Sequence, residues 1–141
     1  MTLNIEDLGG SRRVTTETEV ELALHQRYVA GIHEPTPSYA EGVNEFWISH
    51  ADDRYPVLAI VVNGDLASLT YFPEEGHPGY KSQGDLEELN DDDDTVFHTS
   101  TPQEQLLVAN HAVVRVAVAM AAAKEFLKAR ALPAGVEWFE L

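Results

Sequence analysis

The chain has 141 residues, of which 44% are hydrophobic, so it is long enough for one domain with a core of its own. Nine lysines and arginines against 24 aspartates and glutamates leave a net charge of −15, which argues against nucleic acid or an anionic membrane as direct partner and favours a basic protein. The absence of cysteine excludes disulfides, thiolate zinc sites and cysteine nucleophiles, and fits a reducing compartment.

The first residues, Met1 to Gly10, lack a positive segment followed by an apolar one, and the longest apolar run, Val116 to Ala123, is too short to span a bilayer. The expectation is a single cytoplasmic domain over residues 1–141, with residues 1–12 a candidate disordered tail. From Thr18 to Ala30, Val20, Leu24 and Arg27/Tyr28 recur at helical spacing, with Glu17, Glu19 and Glu21 at the favourable amino-terminal end and Gly31 as the stop. Glu34-Pro-Thr-Pro37 breaks regular structure.

Alternation of Phe46 and Ile48 with Trp47 and Ser49 predicts a half-buried strand over 44–50; Trp47, like Trp138, is expected to pack in the core or on the sheet. Residues 55–62 are apolar on both faces and predict a central strand covered on both sides. Asn63-Gly64 predicts a type I′ turn into an antiparallel strand, Leu66 to Phe72, with Ala67, Leu69 and Tyr71 on one face and Ser68 and Thr70 on the other.

That strand runs into a stiff acidic loop. Pro73 fixes one φ, Gly76 permits a left-handed residue, and Pro78-Gly79 supplies the centre of a type II turn, so Glu74, Glu75 and His77 project from a pre-shaped segment. A histidine between Gly76 and Pro78 also serves simply to cap its turn. The run Asp91, Asp92, Asp93 and Asp94 closes an acidic surface loop over 85–94.

Strand signals resume over 95–99 and 104–108, and Asn110 is a good N-cap for a helix running to about Ala131, whose Val116, Ala119, Met120, Ala122, Ala123, Phe126 and Leu127 form a broad apolar face. Residues 136–141 read as a last strand. The fold class is α+β: an antiparallel sheet of five to six strands packed against an amino-terminal and a long carboxy-terminal helix.

Chemistry finds little support. The acidic run fails as an EF-hand, with Val96 at the glycine position and Pro102 at the bidentate glutamate position, and the histidines show no helical pair or His-Glu-x-x-His. No nucleophile elbow, Walker loop or dinucleotide fingerprint is present, and adjacent Glu74 and Glu75 diverge in a turn, a poor acid/base pair. No catalytic residue, metal or cofactor is therefore assigned.

The run Ala67-Ser-Leu-Thr-Tyr-Phe-Pro-Glu-Glu-Gly-His-Pro-Gly-Tyr80 and the ending Ala123-Lys-Glu-Phe-Leu with Leu132-Pro and Val136-Glu-Trp138 resemble the bacterial immunity proteins of polymorphic toxin systems grouped as immunity family one, over roughly Phe46 to Leu141. The resemblance implies a non-enzymatic inhibitor of a cognate toxin, often one of the deaminase fold. On that footing Glu74, Glu75 and His77 are expected at the toxin's active-site opening, flanked by Tyr71, Phe72 and Tyr80, with Asp91 to Asp94 adding longer-range attraction. The alternatives are immunity against a nuclease or other basic toxin, an acidic mimic of DNA, and, from another class, a hydrolase or small-ligand binder using Glu74 and Glu75.

Overall fold

Phe46 and Ile48 are fully buried while Trp47 between them is 43% exposed, and this two-residue period organises the molecule. The computed structural model describes residues 1–29, 35–36, 41–99 and 104–141. Its elements are β1 (Leu3–Asp7), β2 (Gly10–Val14), α1 (Glu17–Leu24), β3 (Arg27–Tyr28), β4 (Pro35–Thr36), β5 (Val43–His50), β6 (Val57–Asn63), β7 (Leu66–Phe72), β8 (Tyr80–Gln83), β9 (Asp94–His98), β10 (Gln105–Ala109), β11 (Val114–Arg115), α2 (Val116–Lys128) and β12 (Glu137–Glu140).

Among the described residues one antiparallel sheet has ten strands, with the main order β12-β8-β7-β6-β5-β1-β2, and β9 and β10 form a separate two-stranded sheet. The α+β class holds, with more strands than the five to six expected. Part of the excess comes from the amino terminus: residues expected to form a disordered tail instead build the β1–β2 hairpin, and Leu3 and Ile5 of β1 are fully buried beside β5.

Inward residues of the sheet, including Phe46, Ile48, Leu58, Ile60, Leu69 and Tyr71, share one core with Val20 and Leu24 of α1 and Ala119, Ala123, Phe126 and Leu127 of α2. Each large side chain fully withdrawn from water here contributes about 1.5–3 kcal/mol before entropy is counted. Lys124 and Lys128 of α2 pair with Glu21 and Glu17 of α1 at 2.6 and 3.2 Å, joining the helices at their exposed edge.

Three local expectations are corrected. The first helix ends at Leu24 rather than Ala30: Arg27 is buried and its guanidinium donates to the Leu24 and Gln26 carbonyls, so the chain leaves the helix and Tyr28 pairs with Val43 instead. Ala30 and Gly31 lie outside the described residues, as do Glu34 and Pro37 of the expected break, whereas Pro35 and Thr36 form β4. At the other end of α1, Thr16 caps the helix: its Oγ1 accepts from the Glu19 amide at 3.1 Å, and the Glu19 carboxylate accepts from the Thr15 amide at 3.1 Å.

The second helix begins at Val116, not after Asn110. Asn110 opens a short 3-10 turn and works in a side-chain network, accepting from Thr95 Oγ1 at 2.6 Å and donating to the Asn90 carbonyl at 2.7 Å. The third correction concerns the β6–β7 turn, where Asn63 pairs with Leu66 and the central residues are Gly64 and Asp65. Gly64 has φ +60° and no non-glycine residue described has a positive φ, so the type I′ assignment fails and the φ values match type II′. Asn63 is instead used laterally, its Nδ2 donating to the Val96 carbonyl at 2.9 Å.

Candidate functional site

The outer face of the sheet, away from the helices, is built from the residues that alternate with the core set: Glu45, Trp47 and Ser49 of β5, Val57, Ala59 and Val61 of β6, Ser68, Thr70 and Phe72 of β7, and Lys81 of β8. One end of this face is covered. Phe97 and Val108 of the β9–β10 hairpin pack with Val61, Ala112 and Val113 into a second small core, with Leu86 and Leu89 leaning on it. β6 is thus central, as expected, but only its Val61 end has cover on both sides.

The other end is open, and Trp47 stands in it, stacked on Phe72 with ring centroids 6.1 Å apart and planes 14° from parallel. On one side of the stack a shallow hollow of about 490 Å³ is bordered by Glu6, Arg54, Tyr55 and Val57. On the other a smaller one of about 130 Å³ is bordered by Glu45, Thr70, Lys81 and Leu106. Lys81 Nζ donates to Thr70 Oγ1 at 3.0 Å, and burial of the ammonium pushes its pKa down to about 8. Trp47 was expected to pack within the structure; its place on the polar face of a half-buried strand was the available sign that it would emerge.

The acidic loop is as stiff as its sequence implies. Gly76 and Gly79 take φ of +82° and +104°, the left-handed values such a turn demands. His77 fixes it further: Nδ1 accepts from the Gly79 amide at 2.8 Å, Nε2 meets Glu140 at 3.1 Å, and the ring lies on Tyr80 with centroids 5.3 Å apart. Turn capping uses Nδ1, and Glu140 of β12 takes up Nε2. Glu74 and Glu75 are exposed.

The expected aromatic flank divides. Tyr71 is 6% exposed and sits in the main core against Phe126, Tyr80 and Trp138, because it occupies an inward position of β7. It cannot touch a partner as expected. Tyr80 is half-buried between Tyr71 and His77, and Phe72 alone of the three shares the open face with Trp47. Trp138 packs as expected, its Nε1 donating to the Pro133 carbonyl at 2.8 Å.

Asp91, Asp92, Asp93 and Asp94 are all exposed, and the turn that carries them is held by Asn90 and Asn110: the Asp92 amide donates to Asn90 Oδ1 and the Asn110 amide to the Asp93 carbonyl, each at 3.0 Å. Asp91 lies by Gln83, Gly84 and His111, at the opposite end of β8 from Tyr80 and the Glu74–Glu75 loop. The length of β8 alone separates the two acidic groups by roughly 10 Å, so a single small feature of a partner does not meet both.

What this surface offers is recognition: a flat β face with one aromatic stack, a rigid acidic loop beside Phe72 and a second acidic turn farther off. Among the described residues no helix is long and apolar enough to cross a membrane. No curated protein matches the chain in sequence. The model of the family Immunity protein Imm1, however, matches residues 9–140, from the second strand of the sheet through the last. With nearly its whole length so matched, the chain belongs to the Imm1 family of immunity proteins.

Proposed function

We propose that this immunity protein acts in the cytoplasm on a toxin that deaminates cytosine in DNA, covering the toxin's active-site opening or substrate groove without any reaction of its own. An enzyme that takes DNA as substrate presents cationic surface to phosphates. A chain of net charge −15 is steered to such a surface and competes for it. The observation that carries the reading is the pre-shaped loop at the mouth of the β7–β8 hairpin: Glu74 and Glu75 are presented to solvent on a backbone locked by His77, Gly76 and Gly79, so little entropy is lost when they are bound. His77 serves the loop from within, and Asp91 to Asp94 act at longer range.

Strong negative charge on a stiff loop also suits a nuclease or another basic toxin, and the same charge supports that second reading. The test is to co-express the chain with the product of the adjacent reading frame, isolate the complex, and score cytosine conversion and strand cleavage on single- and double-stranded DNA with and without it. Suppressed conversion is expected. A complex that suppresses cleavage, with no conversion to suppress, would replace the deaminase by a nuclease.

A further inference from the structure

We propose that the Trp47–Phe72 stack is the anchor of the interface and receives an arginine or lysine side chain of the toxin, between Glu6 and Glu45. The proposal rests on the inhibitory reading above and adds to it a site on the sheet face that the acidic loop does not include.

Trp47 is a large aromatic, 43% exposed, on a strand face where its neighbours in β5, Glu45 and Ser49, are polar. Its ring is not loose, since Phe72 lies nearly parallel to it at 6.1 Å. A pre-ordered indole loses little side-chain entropy on binding, which is what distinguishes aromatic anchors from flexible surface residues. The flanking charges select the partner. β1 and β5 pair Glu6 directly across from Trp47, and Glu45 lies two residues along β5 on the same face, so carboxylates stand on two sides of the indole. A guanidinium or ammonium placed on the ring gains cation–π attraction and a charge-assisted hydrogen bond to either carboxylate at once.

Among the described residues, Lys81 and Arg54 line these two hollows, and Arg13 lies one strand farther out, opposite Asn4. Lys81 is committed to Thr70 within the small hollow, and Arg54 is exposed where it lines the large one. Against them stand Glu6 and Glu45 on the face and Glu74 and Glu75 on the loop that follows Phe72, within a chain of net charge −15. The balance also disfavours a second copy as the occupant, because a copy brings the same large negative charge to an already acidic face. A basic segment of the toxin meets no such penalty, and the hollow of about 490 Å³ beside the stack has room for a side chain.

The experiment measures affinity for a catalytically disabled form of the toxin encoded beside the chain, by calorimetry, for the parent and for Trp47→Ala, Trp47→Phe and the pair Glu6→Gln/Glu45→Gln, each checked for fold by circular dichroism. Trp47→Ala is expected to weaken binding by about 30-fold or more, Trp47→Phe to recover most of that, and the glutamine pair to lose about tenfold with a flatter salt dependence. If the parent binds and inhibits but Trp47→Ala stays within about twofold of it, the anchor is overturned while the inhibitory reading stands. A parent that neither binds nor inhibits overturns both. Sedimentation showing a dimer of the parent that Trp47→Ala dissolves assigns the face to self-association and overturns the anchor. Should Trp47→Ala not fold, the glutamine pair decides alone, and unchanged affinity counts against the proposal.

Discussion

Gly84 faces the backbone of Val113 so closely that a β-carbon there would lie 1.7 Å from the Val113 carbonyl oxygen, while its own amide donates to the His111 carbonyl at 2.7 Å. The end of β8 is thereby pressed against the turn that precedes α2. Gly84→Ala must push two backbones apart and is expected to cost about 2–4 kcal/mol by urea unfolding. Gly76→Ala, at φ +82° with open space around it, is expected to cost only about 1 kcal/mol, for conformation alone. Equal losses at the two positions would show that close approach is not what Gly84 provides.

Lys81 gives the fold a basic-side pH dependence. Its pKa, about 8 when folded and near 10.5 when free, means that between those values the unfolded chain holds the proton and the folded one does not, so stability rises as pH climbs through that window. The full effect is about 3 kcal/mol at most, and Lys81→Met is expected to raise stability near pH 7 and flatten the rise between about pH 8 and 10. Parallel unfolding curves for parent and variant across that range would refute the assignment.

His50 acts on the acid side. It is buried at the end of β5 with its ring 4.6 Å from Phe126, and burial, with Arg130 nearby, holds its pKa below the ordinary histidine value. As pH falls below about 6.5 the unfolded chain takes up a proton that the folded one resists, so stability declines. His50→Leu is expected to shift the acid limb to lower pH, read as the thermal midpoint between about pH 7 and 5. An unchanged acid limb would place its cause elsewhere.

Asp91 to Asp94 are exposed, and Asp91 lies at the far end of β8 from the Glu74–Glu75 loop. On the proposed reading, charges so placed speed encounter rather than hold the complex together. Replacing all of them by asparagine is expected to slow association with the toxin by about tenfold at low salt, with dissociation nearly unchanged, in stopped-flow or surface-binding kinetics. A faster dissociation would move these residues into the contact itself.

Local pattern sufficed where neighbouring residues decide the outcome. The alternation of Phe46 and Ile48, the apolar run of β6 and the small-residue face of α2 all describe the structure because burial follows sequence spacing directly. It failed where a distant partner decides. The segment after α1 is drawn into the sheet where Tyr28 pairs with Val43 of β5, and Asn110 looks like a cap and is drawn away by Thr95 and Asn90. The apparently featureless amino terminus becomes strand because β5 offers an edge to Leu3 and Ile5. For the site, the stiffness of the Pro73-to-Gly79 loop was legible, whereas Tyr71's burial and Trp47's exposure depend on which face the helices take.

The division of β5 into two sets of alternate residues carries an evolutionary corollary. Because Phe46 and Ile48 serve the interior and Glu45, Trp47 and Ser49 the exterior, substitutions at those three outward positions leave the packing behind them untouched. An inhibitor built this way is free to follow a changing adversary, since its outward lettering can be rewritten without disturbing the scaffold that displays it.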